Sequence, residues 1–415
     1  MVKRRVDVLV LNSNETLTLD SHDSETGLGV IDNGGVAINQ GKIVLAASTD
    51  LLERKFRSRR TMDAEGEIIL PGFVDPHTHL VFAGAREAEF QRRIEGASYM
   101  DILSEGGGII ETVNRTRQAS SESLFQSGRQ RLDTCLESGS TTVEIKSGYG
   151  LRDDEEFKIL RTIHRLKNYH SCRIVPTFMG AHAVPPGEAS SEYVLSVIDE
   201  MLPQIARAGL AEFCDVFCEQ GAFDSLESGR ILGEARRLGL RLKIHADQFT
   251  DSRGAELANK LHVTSADHLV HSPAKQLERM TETRVTPVVL PSSSLSVLTG
   301  ENADARSMIG LGLPVALGTD FSPSNWMFGQ LTVAALASRE LRMKASEIIR
   351  GITINAARAL GLEKRVGSLH VGKDADLVTL RVPNHSWIGY TYGERIVDNV
   401  LIGGKWVVRN GKRTL

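Results

Sequence analysis

The pattern of apolar and polar positions differs between the ends and the middle of this chain. Both ends consist of short β-rich runs. Three β-rich runs separated by Gly and Asn lie near the N-terminus, at residues 6–11, 35–39 and 42–46. Three comparable runs lie near the C-terminus, at residues 375–380, 397–402 and 405–409. Residues 39–42 have the composition of a hairpin turn. Since neither end has enough strand to fold alone, we expect residues 1–66 and 366–415 to form one composite β-sandwich.

In the middle of the chain, residues 67–365, strand-like apolar runs alternate with stretches whose apolar spacing is helical. Helical apolar spacing is clear at residues 155–167 and 329–343. Eight strand-like runs finish in polar residues, near positions 77–79, 143–146, 174–178, 215–219, 242–245, 264–268, 288–291 and 315–320. Eight such units predict an α/β fold, a (β/α)8 TIM-like barrel whose active site lies at the C-terminal strand ends. The run at residues 68–70 is interpreted as the start of its first strand.

Composition narrows the class of protein. The 415 residues carry a formal net charge of −3 with both signs scattered, so nothing indicates a nucleic-acid or membrane partner. No apolar run approaches the roughly 18 residues of a membrane-spanning helix. The basic N-terminal stretch, residues 1–7, lacks the apolar core of a signal peptide. We therefore expect a cytoplasmic enzyme that acts on a small molecule.

Four cysteines are present, and their spacing does not indicate a zinc ribbon: Cys135, Cys172, Cys214 and Cys218. Cys214 and Cys218 lie in an apolar, strand-like run. We interpret them as buried thiols, which suits a reducing cytoplasm.

Candidate metal ligands lie at the strand ends of the predicted barrel. His77 and His79 are two residues apart, so in an extended segment they point the same way. His245, His268 and Asp320 end three later strands. Imidazoles and a carboxylate that converge at one barrel mouth can bind Zn²⁺ or Fe²⁺ and leave a position for water.

Residues 71–79 resemble the first-strand signature of the amidohydrolase superfamily. Residues 367–369 and 372–377 resemble its C-terminal signature, and the resemblance runs from about residue 65 to 380. Six further segments are similar to the branch of this superfamily that opens an imidazolone ring in histidine degradation: residues 82–86, 106–109, 146–151, 180–185, 245–248 and 266–269.

The resemblance implies a hydrolase that uses one divalent metal, Zn²⁺ or Fe²⁺, and opens the cyclic amide of 4-imidazolone-5-propanoate to give N-formimidoyl-L-glutamate. It also implies a homodimer. The implied metal ligands are His77, His79, His245 and Asp320. The implied catalytic residues are His268, beside the attacking water, Asp320, which moves its proton, and Gln248. The implied substrate-binding residues are Arg86, Tyr149, His182, Gln248, Ser322, Ser324 and Asn325.

Three features differ from the family pattern or require interpretation. Residues 321–325 read Phe-Ser-Pro-Ser-Asn, where Asn-Pro-Gly or Asn-Pro-Asn usually follows the last aspartate in the family. The resemblance implies that this loop touches the product's glutamate end, so the sequence leaves open how that end is recognised. The loop at residues 290–294 is more polar than expected, and Gln248 stands where some relatives have Glu. Lys146 is interpreted as a structural or ligand-supporting residue rather than a carbamylated metal bridge.

Two other functions fit parts of this pattern. An aminohydrolase of the same superfamily acting on a nucleobase-like ring, such as guanine, would use the same metal ligands without a carboxylate clamp. A catalytically inactive barrel scaffold would have lost ligands, and here all the candidate ligands are present. Comparing turnover of the two rings distinguishes the enzymes, and a metal analysis tests the scaffold.

Overall fold

The structure is a computed structural model that describes residues 3–19, 26–97, 102 and 107–414. Gly106 of the predicted 106–109 segment and the first two residues of the basic N-terminus lie outside the described residues. The chain divides into two compact units. One comprises Met1–Pro76, Asp133–Thr142 and Phe328–Leu415, and the other comprises His77–Leu132 and Val143–Met327.

Strands from both ends of the chain form one mixed sheet, which confirms that the termini build a shared β-structure. Its strands are β1 (Arg4–Leu17), β2 (Val30–Asn39), β3 (Lys42–Ser48), β4 (Phe56–Asp63), β5 (Ile68–Pro71), β14 (Leu377–Leu380), β15 (Val397–Ile402), β16 (Lys405–Arg409) and β17 (Lys412–Arg413). The order is β17-β16-β15-β14-β5-β1-β2-β3, and β4 pairs with β1. The central strand β5 is antiparallel to β14 and parallel to β1, so it joins the two ends of the chain.

The terminal sheet is stabilised by an apolar layer drawn from both ends. Val8 and Ile38 pack in one buried cluster with Leu377 and Leu401. Each of these side chains is at most 4% exposed, so neither end of the sequence has a complete core by itself. The predicted turn between β2 and β3 is present, with Gln40 and Gly41 at φ of 51° and 72°, as a tight hairpin requires.

The second sheet is the predicted eight-stranded parallel barrel. Its strands are β6 (Phe73–Asp75), β7 (Ser140–Lys146), β8 (Arg173–Ala181), β9 (Phe213–Cys218), β10 (Arg241–Ala246), β11 (Ser265–His268), β12 (Thr286–Val289) and β13 (Ala316–Leu317). They lie side by side in chain order. A parallel bridge from Thr78 to Phe321 links the segments that follow the first and last strands.

The assignment of residues 68–70 to the first barrel strand was wrong. Ile68–Pro71 pairs in the terminal sheet, and the barrel strand is Phe73–Asp75. Gly72 separates them at a point where the backbone passes very close to Thr141. A Cβ at Gly72 would lie 2.4 Å from the Thr141 side chain, so only glycine fits this crossing.

Helices connect most of the barrel strands. The described α-helices are Thr49–Lys55, Glu87–Ile94, Ile109–Gln118, Ser121–Glu137, Asp153–Tyr169, Ser190–Ser196, Leu202–Ala208, Ser225–Arg237, Gly254–Leu261, Ala274–Thr283, Pro291–Val297, Ala305–Gly310, Gln330–Glu340, Ala345–Gly351 and Ile354–Ala359. Val197–Met201 is a π-helical turn and His385–Trp387 a 3₁₀ turn. Both helices predicted from apolar spacing are present. The polar stretch predicted as a loop at residues 290–294 instead begins the helix Pro291–Val297, with proline in its first turn.

The Cys214 and Cys218 side chains are buried, as predicted, and so are those of Cys135 and Cys172. Burial raises the pKa of the Cys218 thiol to about 12 and that of Cys214 further. Both thiols are therefore protonated and unreactive at neutral pH. No helix in the described part of the chain is both long enough and apolar enough to cross a membrane.

Candidate active site

Three histidines converge just beyond the barrel strands. Ligand atoms of His77, His79 and His245 lie within 4.8 Å of one another, and all three side chains are buried. Nε2 of His79 lies 3.3 Å from Nε2 of His245. Asp320 completes the group, with Oδ1 3.5 Å from Nε2 of His77 and 3.8 Å from Nε2 of His79. The structure thus brings together the four ligands predicted from the sequence.

Backbone pairing fixes this convergence. The amide of His79 donates to the carbonyl of Phe321 at 2.8 Å, and the amide of Asp320 donates to the carbonyl of His77 at 3.0 Å. On the other side, the Lys146 amide donates to the Thr78 carbonyl at 2.9 Å. The His-x-His segment is therefore held between its two neighbours where the first and last strands meet, and its histidines point to one side.

Buried carboxylates orient two of the imidazoles. Nδ1 of His77 lies 2.6 Å from Oδ2 of Asp267, and Nδ1 of His245 lies 3.1 Å from Oδ2 of Asp215. Each carboxylate favours a proton on the neighbouring Nδ1 and so leaves Nε2 with its lone pair free for a metal. Ser265 donates to the other oxygen of Asp267 at 2.6 Å, which fixes that carboxylate in turn.

A layer of fully buried charges lies behind these carboxylates. Nζ of Lys146 is 2.6 Å from Asp215 and 2.9 Å from Glu144, and Nζ of Lys243 is 2.7 Å from Glu144. Both ammonium groups also lie 3.5 Å from Asp267. Burial alone would lower the pKa of Lys146, but the Asp215 and Glu144 carboxylates outweigh it and raise the pKa. A charged ammonium is not a nucleophile for CO₂, so this contact set favours a supporting role for Lys146.

Burial keeps three histidines of the site, His77, His79 and His268, neutral. Burial lowers the pKa of His77, His79 and His268 well below 6.5, and neighbouring cationic groups add to the effect. Neutral imidazole is the form that coordinates a metal. Three imidazoles and one carboxylate are a donor set that suits a divalent first-row ion, and the close approach of the two Nε2 atoms brings two of these donors together.

The cluster opens into a cavity of about 860 Å³. Every candidate substrate residue except Asn325 lines it: Arg86, Tyr149, His182, Gln248, Ser322 and Ser324. His79, His245, His268 and Asp320 line it as well. Three of the four metal-ligand candidates, all except His77, thus share one space with most of the substrate-binding candidates, and its size suits a small ligand.

His268 and Asp320 both have strained backbones at the cavity floor. Their φ angles are 76° and 49°, in the left-handed region that non-glycine residues rarely adopt. The His268 ring lies 5.1 Å from that of His245 between centroids. Burial raises the pKa of Asp320 to about 6, and a hydrogen bond with Ser293 limits the rise. A carboxylate with a pKa near 6 can both accept and return a proton at neutral pH.

Aromatic rings form the wall beside His79. The His182 ring stacks on His79 with centroids 4.8 Å apart, and Tyr149 lies 5.3 Å from His182. Nδ1 of His182 lies 3.1 Å from the carbonyl of Gly148, so this nitrogen carries the proton and donates. Burial lowers the pKa of His182 to about 3. The ring is therefore a neutral surface at neutral pH, with its remaining nitrogen able to accept a hydrogen bond.

Two arginines line another part of the cavity. Arg86 is 9% exposed, and its Nε and Nη1 make no hydrogen bond within the described part of the chain. Its Nη1 lies 3.8 Å from Oε2 of Glu89. Arg93 lines the same cavity and pairs directly with Glu89. Since buried cationic donors without acceptors are costly, this part of the cavity suits an anion.

The sequence profile described as "Amidohydrolase family" matches residues 68–407. An imidazolonepropionase from Shouchella clausii is 45% identical over 392 residues, which cover 92% of this chain and 87% of the relative. One from Geobacillus kaustophilus is 44% identical over 99% of this chain and 98% of its own length. The chain belongs to the imidazolonepropionases of the amidohydrolase family.

Solved structures show the same fold at much lower identity. An adenosine deaminase from Xanthomonas campestris with bound zinc matches with a TM-score of 0.77 and 19% identity, over 100% of this chain and 95% of that protein. A 5-methylcytosine deaminase from Klebsiella pneumoniae matches with a TM-score of 0.76 and 15% identity, over 98% of each chain. These matches support the architecture of the imidazolonepropionase barrel and terminal sheet.

The loop that differs from the usual imidazolonepropionase pattern is built around Asn325. Its amide nitrogen donates to the carbonyls of Thr319 at 2.9 Å and Asp320 at 3.1 Å, and its oxygen accepts from Ser296 at 2.8 Å. The Asn325 side chain is thus used to hold the loop rather than to face the cavity. Ser322 and Ser324 do reach the cavity and present hydroxyl groups there.

Several cavity residues were not predicted from the sequence: Arg93, Glu219 and Ser293. Glu219 accepts from the Phe249 amide at 2.8 Å and from Ser252 at 2.9 Å, and so fixes the loop that carries Gln248. Ser293 lies 3.5 Å from the Gln248 amide nitrogen. The only sequence signal for Glu219 was its position after a barrel strand. Ser293 was visible only as part of an unexpectedly polar segment.

Proposed function

We propose that this protein hydrolyses 4-imidazolone-5-propanoate to N-formimidoyl-L-glutamate in histidine degradation. The observation that carries the proposal is one cavity with two features. A cluster of imidazoles and Asp320 lies at its floor, and Arg86 lies elsewhere on its wall with two guanidinium nitrogens that have no acceptor among the described residues. The substrate has the two matching parts, a cyclic amide and a separate carboxylate.

We propose that His77, His79, His245 and Asp320 hold one divalent metal, either Zn²⁺ or Fe²⁺. Both ions accept imidazole and carboxylate ligands, and availability as well as ligand type decides which one is bound. Such an ion, when bound, polarises a carbonyl group and lowers the pKa of water. Asp267 and Asp215 support this role because they hold His77 and His245 in the required orientation.

Asp320 is the proposed proton carrier. It accepts one proton from the attacking water while the water oxygen forms a bond to the ring carbonyl carbon. The bond from this carbon to the ring nitrogen then breaks, and Asp320 returns the proton to that nitrogen. The carbonyl carbon becomes a carboxylic acid, which releases the second proton of the water to solvent as it ionises, and the formimidoyl group stays on the amine. His268, neutral and buried beside the cluster, stabilises the charge that develops on the carbonyl oxygen.

The other cavity residues orient the ring. Arg86 binds the propionate, because a guanidinium group matches a carboxylate in shape and charge. Tyr149 and His182 provide a flat wall beside His79, against which a planar ring can lie. Gln248 follows the barrel strand β10. Glu219 fixes the loop that carries Gln248, and Ser293 is its neighbour. We propose that its amide hydrogen-bonds to the ring.

We further propose a cytoplasmic homodimer. The buried cysteine thiols are compatible with a reducing compartment. The dimer follows from the family resemblance alone. Light scattering of the purified protein during gel filtration gives the mass directly, and a monomer mass at micromolar concentration contradicts the homodimer.

The decisive experiment is an ultraviolet assay of imidazolone loss with the purified, metal-loaded protein. Turnover of 4-imidazolone-5-propanoate with N-formimidoyl-L-glutamate as the product supports the proposal. Guanine serves as the comparison ring, since it lacks the carboxylate that Arg86 would bind. Turnover of guanine without turnover of imidazolonepropionate would overturn the assignment, and metal analysis of the same sample tests whether the ligands are occupied.

A further inference from the structure

Arg86, Glu89 and Arg93 form a buried ion cluster on one face of the helix Glu87–Ile94 and the residue before it. Their spacing of three and then four residues places them on the same side of the helix. Arg86, Glu89 and Arg93 are 9%, 6% and 7% exposed. Exposed ion pairs at this spacing contribute little to the free energy of unfolding. Buried charged groups, in contrast, must be paired and oriented. The cluster is therefore built into the cavity wall.

Glu89 is the shared partner in this cluster. One carboxylate oxygen accepts from Nη2 of Arg93. The other accepts from the Gly108 amide at 3.1 Å and lies 3.8 Å from Nη1 of Arg86. Glu89 itself does not line the cavity, whereas both arginines do. The carboxylate thus lies behind the two guanidinium groups.

Arg93 is fixed from a second direction. Its Nη1 donates to the carbonyl of Ser296 at 3.2 Å, in the segment of the helix Pro291–Val297. Both guanidinium groups line the cavity and share the Glu89 carboxylate. A carboxylate from a ligand would be attracted to both groups and would supply acceptors for Nε and Nη1 of Arg86, which have none among the described residues.

We propose that Arg93 is a second carboxylate-binding residue beside Arg86, and that Glu89 is the positioning residue that holds both guanidinium groups at the cavity wall. This deepens the proposed function, because it assigns the propionate of the substrate to a pair of arginines. Glu89 acts through the arginines and does not touch the substrate.

The kinetic test compares imidazolonepropionate with its methyl ester. Arg93→Met should lower kcat/KM for the acid by about tenfold or more, the scale of a lost charged hydrogen bond, and leave the ester nearly unchanged. Arg93→Lys keeps the charge and should lose less. Arg92→Met is the matched control, since Arg92 is on the same helix but does not line the cavity. An equal loss for acid and ester, or no loss for either, overturns the role of Arg93.

Glu89→Gln tests the positioning role. It keeps the side-chain shape and an acceptor for the Gly108 amide but removes the charge, so the preference for acid over ester should fall. Because Glu89 acts through the arginines, the loss should be smaller when Arg93 is already methionine. An equal loss in both backgrounds indicates a purely structural residue and overturns this role.

A binding experiment separates the cluster from the proposed reaction. Butyrate mimics the tail, and butyramide is its uncharged isostere; both are titrated onto the wild type and Arg93→Met by ligand-observed NMR. Weaker butyrate binding in the variant, with butyramide unaffected, supports the paired arginines even if imidazolonepropionate is not turned over. Butyrate binding that does not respond to Arg93→Met overturns the pair even if turnover is normal.

Discussion

Nδ1 of His77 and Oδ2 of Asp267 lie 2.6 Å apart, in a part of the barrel where both side chains are completely buried. Burial raises the pKa of Asp267, and the Lys243 and Lys146 ammonium groups oppose the rise. Asp267 thus fixes the ring rotation and the tautomer of His77, a metal-ligand candidate, through the nitrogen that does not face the ligand cluster. The strength of the metal site therefore depends on residues that cannot touch the metal.

The first prediction concerns this support. Asp267→Asn keeps the volume but removes the charge that holds His77, so metal affinity should fall about 10- to 100-fold. A chelator titration monitored by metal content measures the change. Glu256→Gln, in the helix Gly254–Leu261 with a side chain that is 43% exposed, is a matched control and should match the wild type. Unchanged affinity in Asp267→Asn would show that the pair does not support the ligand.

The second prediction concerns the proposed ligands. His77→Ala should nearly abolish turnover and lower the bound metal, and Asp320→Asn should nearly abolish turnover because the proton carrier is lost. Metal content and the imidazolone assay measure the two effects. His164→Ala, at an exposed helix position, is the control. Full occupancy and normal turnover in His77→Ala would refute the ligand assignment.

The third prediction concerns Arg86. Arg86→Met should lower kcat/KM for imidazolonepropionate by about ten- to a hundredfold, since a charged hydrogen bond contributes roughly 1.5–3 kcal/mol. The loss should appear in KM if Arg86 binds ground and transition states alike, and extend to kcat if it also orients the ring. Metal content should not change. Equal weakening of the acid and its ester would argue for a ring without the propionate.

The fourth prediction concerns acid stability of the metal-free protein. His77, His79 and His268 have lowered pKa values in the folded state, so below about pH 6.5 the unfolded chain binds more protons and the folded state loses stability. Five carboxylates have raised pKa values and oppose this trend: Glu67, Glu156, Asp247, Asp267 and Asp320. We expect the three histidines, together with His182, to dominate in this pH range because their unfolded pKa lies within it. Tm should therefore fall between pH 7.5 and 5.5.

Two histidine variants test whether the buried histidines cause the predicted fall of Tm on acidification. His182→Asn removes a group whose pKa is lowered to about 3, so it should weaken the pH dependence of unfolding by about one proton. His164→Gln, at an exposed position, should retain the wild-type dependence. A Tm that rises on acidification would show that the buried histidines do not dominate.

The fifth prediction concerns the terminal sheet. Deleting residues 1–60 removes β1 to β3 and most of β4, which exposes the edge of β5 and half of the shared apolar cluster. The truncated protein should be insoluble. Deleting only residues 412–415, which carry the edge strand β17, should leave soluble protein. Soluble, active protein after the larger deletion would show that the barrel does not depend on the shared sheet.

The barrel and the ligand cluster were predictable because a parallel strand both buries an apolar run and carries a polar residue at its C-terminal end. His77, His79, His245 and Asp320 follow that rule. The run at residues 68–70 was misplaced because an apolar segment shows that a strand is buried but not in which sheet. The close approach that separates the sheets, between Gly72 and Thr141, is a tertiary contact.

The charged wall of the cavity was not predictable for a different reason. Glu89 and Arg93 are in a short helix rich in charges, and such a pattern usually indicates a solvent-exposed face. Their burial depends on the Ser296 carbonyl and the Gly108 amide, which are distant in sequence or supplied by another loop. Periodicity within one helix contains no information about such neighbours.

The bridge between Thr78 and Phe321 has a consequence for how the protein is made. Among the proposed ligands, His77 and His79 follow the first barrel strand and Asp320 follows the last, so nearly the whole barrel is synthesised between them. A nascent chain on the ribosome has two of the histidines early but lacks Asp320 until the eighth strand emerges. The complete site thus forms after translation of the barrel, when these most distant segments have met.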